Sequence, residues 1–129
     1  IYRVSEENPA PYLSGPEYQV IDDTGYKGDL TELQKAAADY DMYATSKKVA
    51  KPAGEWNTGK IVMNGNHCEH WLNGEKVVEY EMNSDDWNTR KAQSKWKDVA
   101  PYGQTTKGHI DLQEHGHEVW YRSIMLRKL

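Results

Sequence analysis

Two Asn-Gly dipeptides constrain this chain more than any other feature. Asn64-Gly65 and Asn73-Gly74 lie between three short runs of alternating character, Glu55 to Met63, His67 to Leu72 and Glu75 to Met82. A two-residue hairpin loop of type I′ needs positive φ at both central positions, and Asn-Gly meets that need with the least strain. The runs therefore read as a three-stranded antiparallel meander. The rest of the chain repeats the same grammar of short apolar segments cut by turn residues, which favours an all-β sandwich or barrel.

Around this centre, alternation predicts further strands over Ile1 to Val4, Glu17 to Ile21, Tyr40 to Ala44, Gly108 to Glu114 and Glu118 to Leu126. Ser5 to Gly15 holds two prolines, Pro9 and Pro11, and reads as an irregular loop. His115-Gly116-His117 forms a turn. Two helices are expected. One covers Asp29 to Ala38, with Asp29 as its cap. The other covers Ser84 to Trp96, where Ser84 caps a first turn containing Asp85 and Asp86 and the basic residues follow, in the order that suits the helix dipole. With 129 residues, the chain is long enough for one domain with its own core.

Composition narrows the function. The formal charge is -4, and the one basic cluster, Lys47, Lys48 and Lys51, sits in a polar connector. Nothing here resembles the basic stripe of a nucleic-acid binder. No apolar run reaches the length of a membrane-spanning helix. Cys68 is the single cysteine, which rules out a disulfide within the chain. Five Trp and nine Tyr, with no Phe, supply aromatic surface that carries polar tips. Such rings fill cores and also stack on sugars.

Strand parity then sorts the polar residues. Tyr18 and Val20 point one way, and Glu17 and Gln19 the other. Ile110 and Leu112 oppose Asp111, Gln113 and His115. The apolar sets are expected on an inner face and the polar sets together on an outer one. His67 and Glu69 share a side but are too few for a closed zinc site, and His109, His115 and His117 do not converge. No metal and no cofactor are expected.

Four segments carry a resemblance. Gly15-Pro16-Glu17-Tyr18-Gln19-Val20-Ile21-Asp22-Asp23, Lys51-Pro52-Ala53-Gly54-Glu55-Trp56-Asn57, Glu69-His70-Trp71-Leu72-Asn73-Gly74, and Gly108 to Gly116 followed by Val119 to Ile124 resemble, in order, the motifs of the 3-keto-disaccharide hydrolase domain family. Tyr121, Glu114 and Ser123 stand where that family usually has Phe, Asp and Asn. The resemblance implies one domain over residues 1–129, about the C-terminal two thirds of the family domain. It implies an antiparallel two-sheet jelly-roll sandwich of the concanavalin A-like type, here without its N-terminal strands. An edge near Ile1 to Val4 would then be unpaired, or covered by another chain as in a homo-oligomer. A periplasmic or secreted location is implied as well.

The implied activity is cleavage of glycosides already oxidised to a ketone at sugar carbon 3. That ketone acidifies carbon 2, so the site needs a base, a donor for the enolate oxygen and an acid for the leaving group. His115 and Glu17 are the candidate base and acid, since histidine as a residue type titrates near neutral pH. Arg122 is the candidate oxyanion partner. Gln19, Gln113, Trp120 and Arg3 are candidate sugar contacts. The competing reading is a non-catalytic carbohydrate-binding module, which would use Trp and Tyr platforms without a tuned acid or base.

Overall fold

The structure is a computed structural model that describes residues 1–129. Its regular elements are few. Strands β1 (Gly59–Asn64), β2 (His67–Leu72) and β3 (Glu75–Glu81) form one antiparallel sheet in the order β1-β2-β3. Helix α1 (Asp85–Gln93) follows directly. Single 3₁₀ turns occupy Pro11–Leu13 and Glu32–Gln34. No helix is long and apolar enough to cross a membrane.

The second hairpin follows the expected chemistry. Leu72 pairs with Glu75, so Asn73 and Gly74 form the loop, and both have positive φ, 52° and 88°. That is the type I′ pattern. The first hairpin is displaced by one residue. Asn64 pairs with His67, which leaves Gly65 and Asn66 in the loop rather than Asn64 and Gly65. Of these two only Gly65 has positive φ, as a type II′ turn requires. The chain thus places the glycine at the first loop position and returns Asn64 to the ladder.

The β2 side chains divide as parity demands. Cys68, His70 and Leu72 are buried, while His67, Glu69 and Trp71 face outward. The β2–β3 register shifts between His70 and Trp71, so Val77 and Val78 are both buried. One strand can bury adjacent residues only where such a bulge breaks the alternation.

Helix α1 starts where expected. The Ser84 hydroxyl accepts from the Trp87 amide at 3.2 Å, and Asp86 meets Arg90 at 2.9 Å one turn on. The helix ends at Gln93, three residues before the expected Trp96, and buries Trp87 alone. Trp96 reaches the core from the turn that follows, and its ring stacks on Tyr102 at 4.5 Å. Tyr102 also stacks on Trp87 at 5.9 Å. These three aromatic rings fasten α1 and its trailing loop to the body of the domain.

Other expected elements do not form. The helix expected over Asp29 to Ala38 is only the turn Glu32–Gln34, capped by Thr31 and not by Asp29. Beyond it Ala37 has φ 68°, and its amide donates to the Gln19 carbonyl at 2.8 Å, so the segment pairs with another stretch of chain and cannot coil. The expected strands at Ile1 to Val4, Glu17 to Ile21 and Tyr40 to Ala44 are reduced to isolated bridges, Val4↔His109, Tyr18↔Asp39 and Asp39↔Tyr43. Near Ile1 to Val4 the edge is therefore partly paired, with Val4 and His109 exchanging both backbone bonds at 3.0 and 2.9 Å.

Gly108 to Glu114 and Glu118 to Leu126 form no strand. Val20, Ile110 and Leu112, expected on an inner face, are exposed, and so are Ile124 and Leu126. The physical reason is the lack of a neighbour. A strand exists only when its backbone donors and acceptors find an adjacent strand; Gly108 to Glu114 finds only Ile1 to Val4, through His109 and Asp111, and Glu118 to Leu126 makes no backbone pairing. One three-stranded sheet is present, and a second is not.

Two glycine replacements separate space from backbone strain. A Cβ at Gly103 would lie 2.5 Å from the Trp87 ring, whereas one at Gly74 would meet nothing within 4 Å. In urea titrations, Gly103→Ala is expected to cost about 2–4 kcal/mol. Gly74→Ala should cost about 1 kcal/mol, the backbone penalty alone. Equal losses would count against the packing assigned to Trp87.

Candidate active site

The bridge Tyr18↔Asp39 lays residues 17–19 beside 38–40, with the Tyr40 amide donating to the Glu17 carbonyl at 3.0 Å. Parity then sends Tyr18 and Asp39 to one side and Glu17, Gln19 and Tyr40 to the other. On the first side, the Tyr18 ring lies 4.8 Å from His70, and its hydroxyl donates to the Trp71 carbonyl at 2.9 Å. On the second side a polar surface develops.

That surface is tied together by amides. The Gln19 Nε2 donates to the Gln34 carbonyl at 3.1 Å, and the Gln34 Nε2 donates to the Tyr40 hydroxyl at 3.1 Å. The Lys95 ammonium lies 3.9 Å above the Tyr40 ring and 4.2 Å from the Trp96 ring. Glu17 is half-buried. Burial raises its carboxyl above the ordinary value, and the positive fields of Lys95 and His115 oppose that shift. Tyr121 also lies within the field of Glu17, and its hydroxyl donates to the Gln113 carbonyl at 3.1 Å.

The sequence-derived candidates thus fall into two groups. Glu17 and His115 come within electrostatic reach of each other, and Gln19 lies one strand position from Glu17 on the same side. Gln113 is half-buried, with Oε1 shielded from solvent and unpartnered. The others make contacts of their own. Arg122 stacks over the Trp56 ring at 3.9 Å. Trp120 is 69% exposed and donates through Nε1 to Glu118. Arg3 donates to the Gly65 carbonyl and to the Met82 sulfur, closing the β1–β2 turn. Two open concavities line other parts of the surface, one bounded by Tyr43, Ala44, Ser46 and Lys76 to Glu79, the other by Leu33, Asp41, Met42, Arg90, Gln93 and Ser94. Neither includes Glu17, Gln19 or His115.

Behind Glu17 lies a buried polar network that sequence reasoning missed. The Tyr2 hydroxyl is 2.8 Å from His70 Nε2, 2.6 Å from the Tyr80 hydroxyl and 3.3 Å from Cys68 Sγ. His70 Nδ1 lies 2.8 Å from the Ala37 carbonyl. A carbonyl only accepts, so Nδ1 carries the proton and Nε2 accepts from Tyr2. Burial holds the imidazole neutral, lowered to about 4. Tyr2 has then spent its proton, and Tyr80 donates to Tyr2. Asp39 is fully buried beside them, with neither carboxyl oxygen in a hydrogen bond. With the Tyr80 proton committed, an ionised Asp39 would have no donor. Burial pushes its carboxyl up to about 8, outweighing the favourable approach of the Tyr80 hydroxyl. Burial likewise pushes the Cys68 thiol up to about 12, which removes it from nucleophilic chemistry.

On the outer sheet face, His67, Glu69 and Glu79 bring one nitrogen and two carboxylates within 4.8 Å of one another. Glu79 is the cross-strand partner of Glu69, a relation that spacing alone does not reveal. The Lys76 ammonium pairs with both carboxylates, 3.3 Å from Glu69 and 2.7 Å from Glu79, and offsets half of their charge. His70 lies on the opposite, buried face and cannot join them.

Three comparisons bear on this arrangement. Residues 1–127 match the family of 3-keto-alpha-glucoside-1,2-lyase-like domains. A 3-keto-disaccharide hydrolase of Bacteroides thetaiotaomicron is 33% identical over 131 residues, covering 92% of this chain and 45% of that protein. The crystal structure of a provisionally assigned glycosyl hydrolase from Parabacteroides distasonis superposes with a TM-score of 0.74 at 38% identity, covering 81% of this chain and 51% of that one. The chain spans about half the length of these relatives.

Asp39 and His70 make stability depend on pH in opposite ways. The folded protein holds the Asp39 proton up to about pH 8, whereas an unfolded aspartate releases it near 4. Between those values the native state binds more protons, so stability falls as pH rises, by about 1.4 kcal/mol per pH unit at most. For His70 the folded value of about 4 lies below the unfolded one, so its contribution rises with pH between about 4 and 6.5. The fall should therefore emerge between about pH 6.5 and 8. Chemical denaturation across that range should show it, and Asp39→Asn should abolish the slope and be the more stable protein at pH 8. An unchanged slope in Asp39→Asn would mean that the carboxyl is ionised when folded.

Proposed function

The chain belongs to the family of 3-keto-alpha-glucoside-1,2-lyase-like domains, and on that premise we propose that it cleaves 3-keto glycosides through ketone-assisted removal of the proton on carbon 2. The observation that carries this reading is the half-buried Glu17 carboxyl, raised by burial within the fields of Lys95, the N-terminus and His115, two residues from the Gln19 amide that donates to the Gln34 carbonyl. A base for carbon acids works best when its pKa lies close to the working pH. Burial moves Glu17 in that direction.

The steps balance without a redox cofactor, because the ketone is already present. Glu17 takes the carbon-2 proton, and the C–H electron pair moves into a C2=C3 enolate with its charge on the ketone oxygen. Collapse of the enolate restores the carbonyl, forms C1=C2 and breaks the bond from carbon 1 to the leaving oxygen. His115 supplies the proton that oxygen needs. Water can then add across the double bond, with hydroxyl to carbon 1 and hydrogen to carbon 2, so that the net change is hydrolysis. Gln19 and Gln113 hold ring hydroxyls in this reading. Arg122, stacked on Trp56, stays outside the proton transfers.

A two-sheet jelly roll is part of the same proposal. It is supported by the antiparallel β1-β2-β3 sheet and by apolar side chains left at the surface in alternating positions, Ile110 with Leu112 and Ile124 with Leu126. Alternation of this kind is what a sandwich strand needs once a second layer covers it.

The test is release of a chromogenic leaving group from a 3-keto glucoside, run beside the unoxidised glucoside. Turnover of the ketone alone is expected. Glu17→Gln and His115→Ala should each lower kcat by about 10²-fold or more, with little change in KM. Gln19→Ala should mainly raise KM. Equal turnover of both glucosides would sink ketone-assisted elimination, and binding without turnover would favour a carbohydrate-binding module.

A further inference from the structure

The enolate in this scheme needs a cationic or hydrogen-bonding partner at the ketone oxygen, and Arg122, which stacks over the Trp56 ring, is not among the charges that act on Glu17. The charge that acts most strongly on Glu17 is that of Lys95. Lys95 follows the C-terminus of α1, where its amide donates to the Asp41 carboxylate at 2.7 Å. The next residue, Trp96, is buried, stacks on Tyr102 and donates through Nε1 to the Tyr40 carbonyl at 3.2 Å. The backbone of Lys95 is therefore fixed on both sides of its side chain. The ammonium lies against the Tyr40 and Trp96 rings at 3.9 and 4.2 Å.

Its surroundings hold the charge without consuming it. The lysine and arginine ion pairs of the chain use Lys35, Lys47, Lys48, Lys76 and Arg90. Lys95 is in none of them. Ring faces attract a cation through their quadrupole but accept no strong hydrogen bond, so the N–H donors remain free. Two carboxylates, Glu17 and Asp41, act on the ammonium through their fields, and Glu17 in turn feels Lys95 as its largest charged neighbour, ahead of His115. A carboxylate base and an unpaired ammonium thus act on each other across Tyr40, whose ring carries the ammonium and whose amide binds the Glu17 carbonyl.

We propose that Lys95 is a catalytic residue whose ammonium donates to the ketone oxygen at sugar carbon 3 and stabilises the enolate formed when carbon 2 is deprotonated. The assignment rests on the ketone-assisted reading above and gives the oxyanion role to a residue outside the segments that suggested the family. A preorganised donor aimed at developing charge acts mainly on the transition state. Burial also lowers the Lys95 ammonium below its ordinary value, against the raising effect of Glu17 and Asp41. That moves its acidity closer to that of the enolate it serves.

The experiment uses the whole protein and the chromogenic 3-keto glucoside. Lys95→Met keeps an aliphatic stem against Tyr40 and Trp96 while removing the charge. It should lower kcat by about 10²–10³-fold with KM changed far less and the thermal midpoint retained. Lys95→Arg keeps a cation that does not deprotonate. It should retain more activity than Lys95→Met, and in the His115→Ala background, where no imidazole acid sets the limb, its pH profile should lose the alkaline limb or carry it to higher pH. This profile decides the matter even if Lys95→Met fails to fold. A Lys95→Met protein with kcat near that of the unaltered protein, a loss confined to KM, or an alkaline limb that Lys95→Arg leaves unmoved in the His115→Ala background would overturn the assignment while leaving ketone-assisted cleavage intact. No turnover of the ketone by the unaltered protein would instead remove the reading on which it rests.

Discussion

The rest of the structure depends on one buried hydroxyl. Tyr2 sits where the N-terminal segment, the sheet and the 37–39 stretch meet, and its oxygen touches His70, Tyr80 and Cys68. Each partner comes from the inner face of β2 or β3, and His70 extends the chain of bonds to the Ala37 carbonyl. Buried polar groups destabilise a core when unpaired and fix its geometry when fully paired. Here the pairing fixes the residues after Gln34. Ala37 is held at positive φ, Ala38 accepts from Gln19, and Asp39 lies opposite Tyr18. The same pairing turns Glu17 and Gln19 to the outer side, so the network that orders the core also presents the polar surface.

That network leaves Asp39 as its unfilled end. One proton per hydroxyl is available, and the sequence of donations from Tyr80 to Tyr2 to His70 uses them. A carboxyl in that position stays protonated or costs stability. Tyr102 adds a buried hydroxyl without a partner to the unpaired Asp39 carboxyl, and Asp39 and Glu17 both act on it through their fields. Unsatisfied buried polar groups are rare in folded proteins and tend to gather near functional surfaces. These two lie behind the face that carries Glu17 and Lys95, so the strain of the core and the chemistry assigned to the surface share one region.

The aromatic stack of Trp87, Tyr102 and Trp96 has a parallel role on the other side of that surface. It carries no charge and makes few hydrogen bonds, yet it sets where α1 stops and where Lys95 emerges. The helix expected over Ser84 to Trp96 runs through Lys95 and would have made it one more basic residue near a helix end. Instead the chain leaves the helix at Ser94, and Asp41 captures the next amide. A site residue was therefore hidden by a periodicity that the real helix does not follow. The only hint in the sequence was a lysine joined directly to a tryptophan.

What the sequence determined by itself were the features that depend on neighbours along the chain. Asn73-Gly74 specified its hairpin because the turn needs only the φ preferences of two residues. Ser84 with Asp85 and Asp86 specified the start of α1 because capping and dipole compensation act within one turn. Four linked segments identified the family, and parity put Glu17 and Gln19 on a side apart from Tyr18. Tertiary structure decided whatever needs a partner from elsewhere. Alternation in Gly108 to Glu114 and Glu118 to Leu126 did not yield strands, since a strand is made by its neighbour's hydrogen bonds. Ala36-Ala37-Ala38 looked helical but was drawn into pairing with Gln19. The exposure of Ile110 and Leu112, the stacking of Arg122 on Trp56, the proton held on Asp39 and the approach of Lys95 to Glu17 all depend on distances between remote residues. Local preference fixes none of these distances.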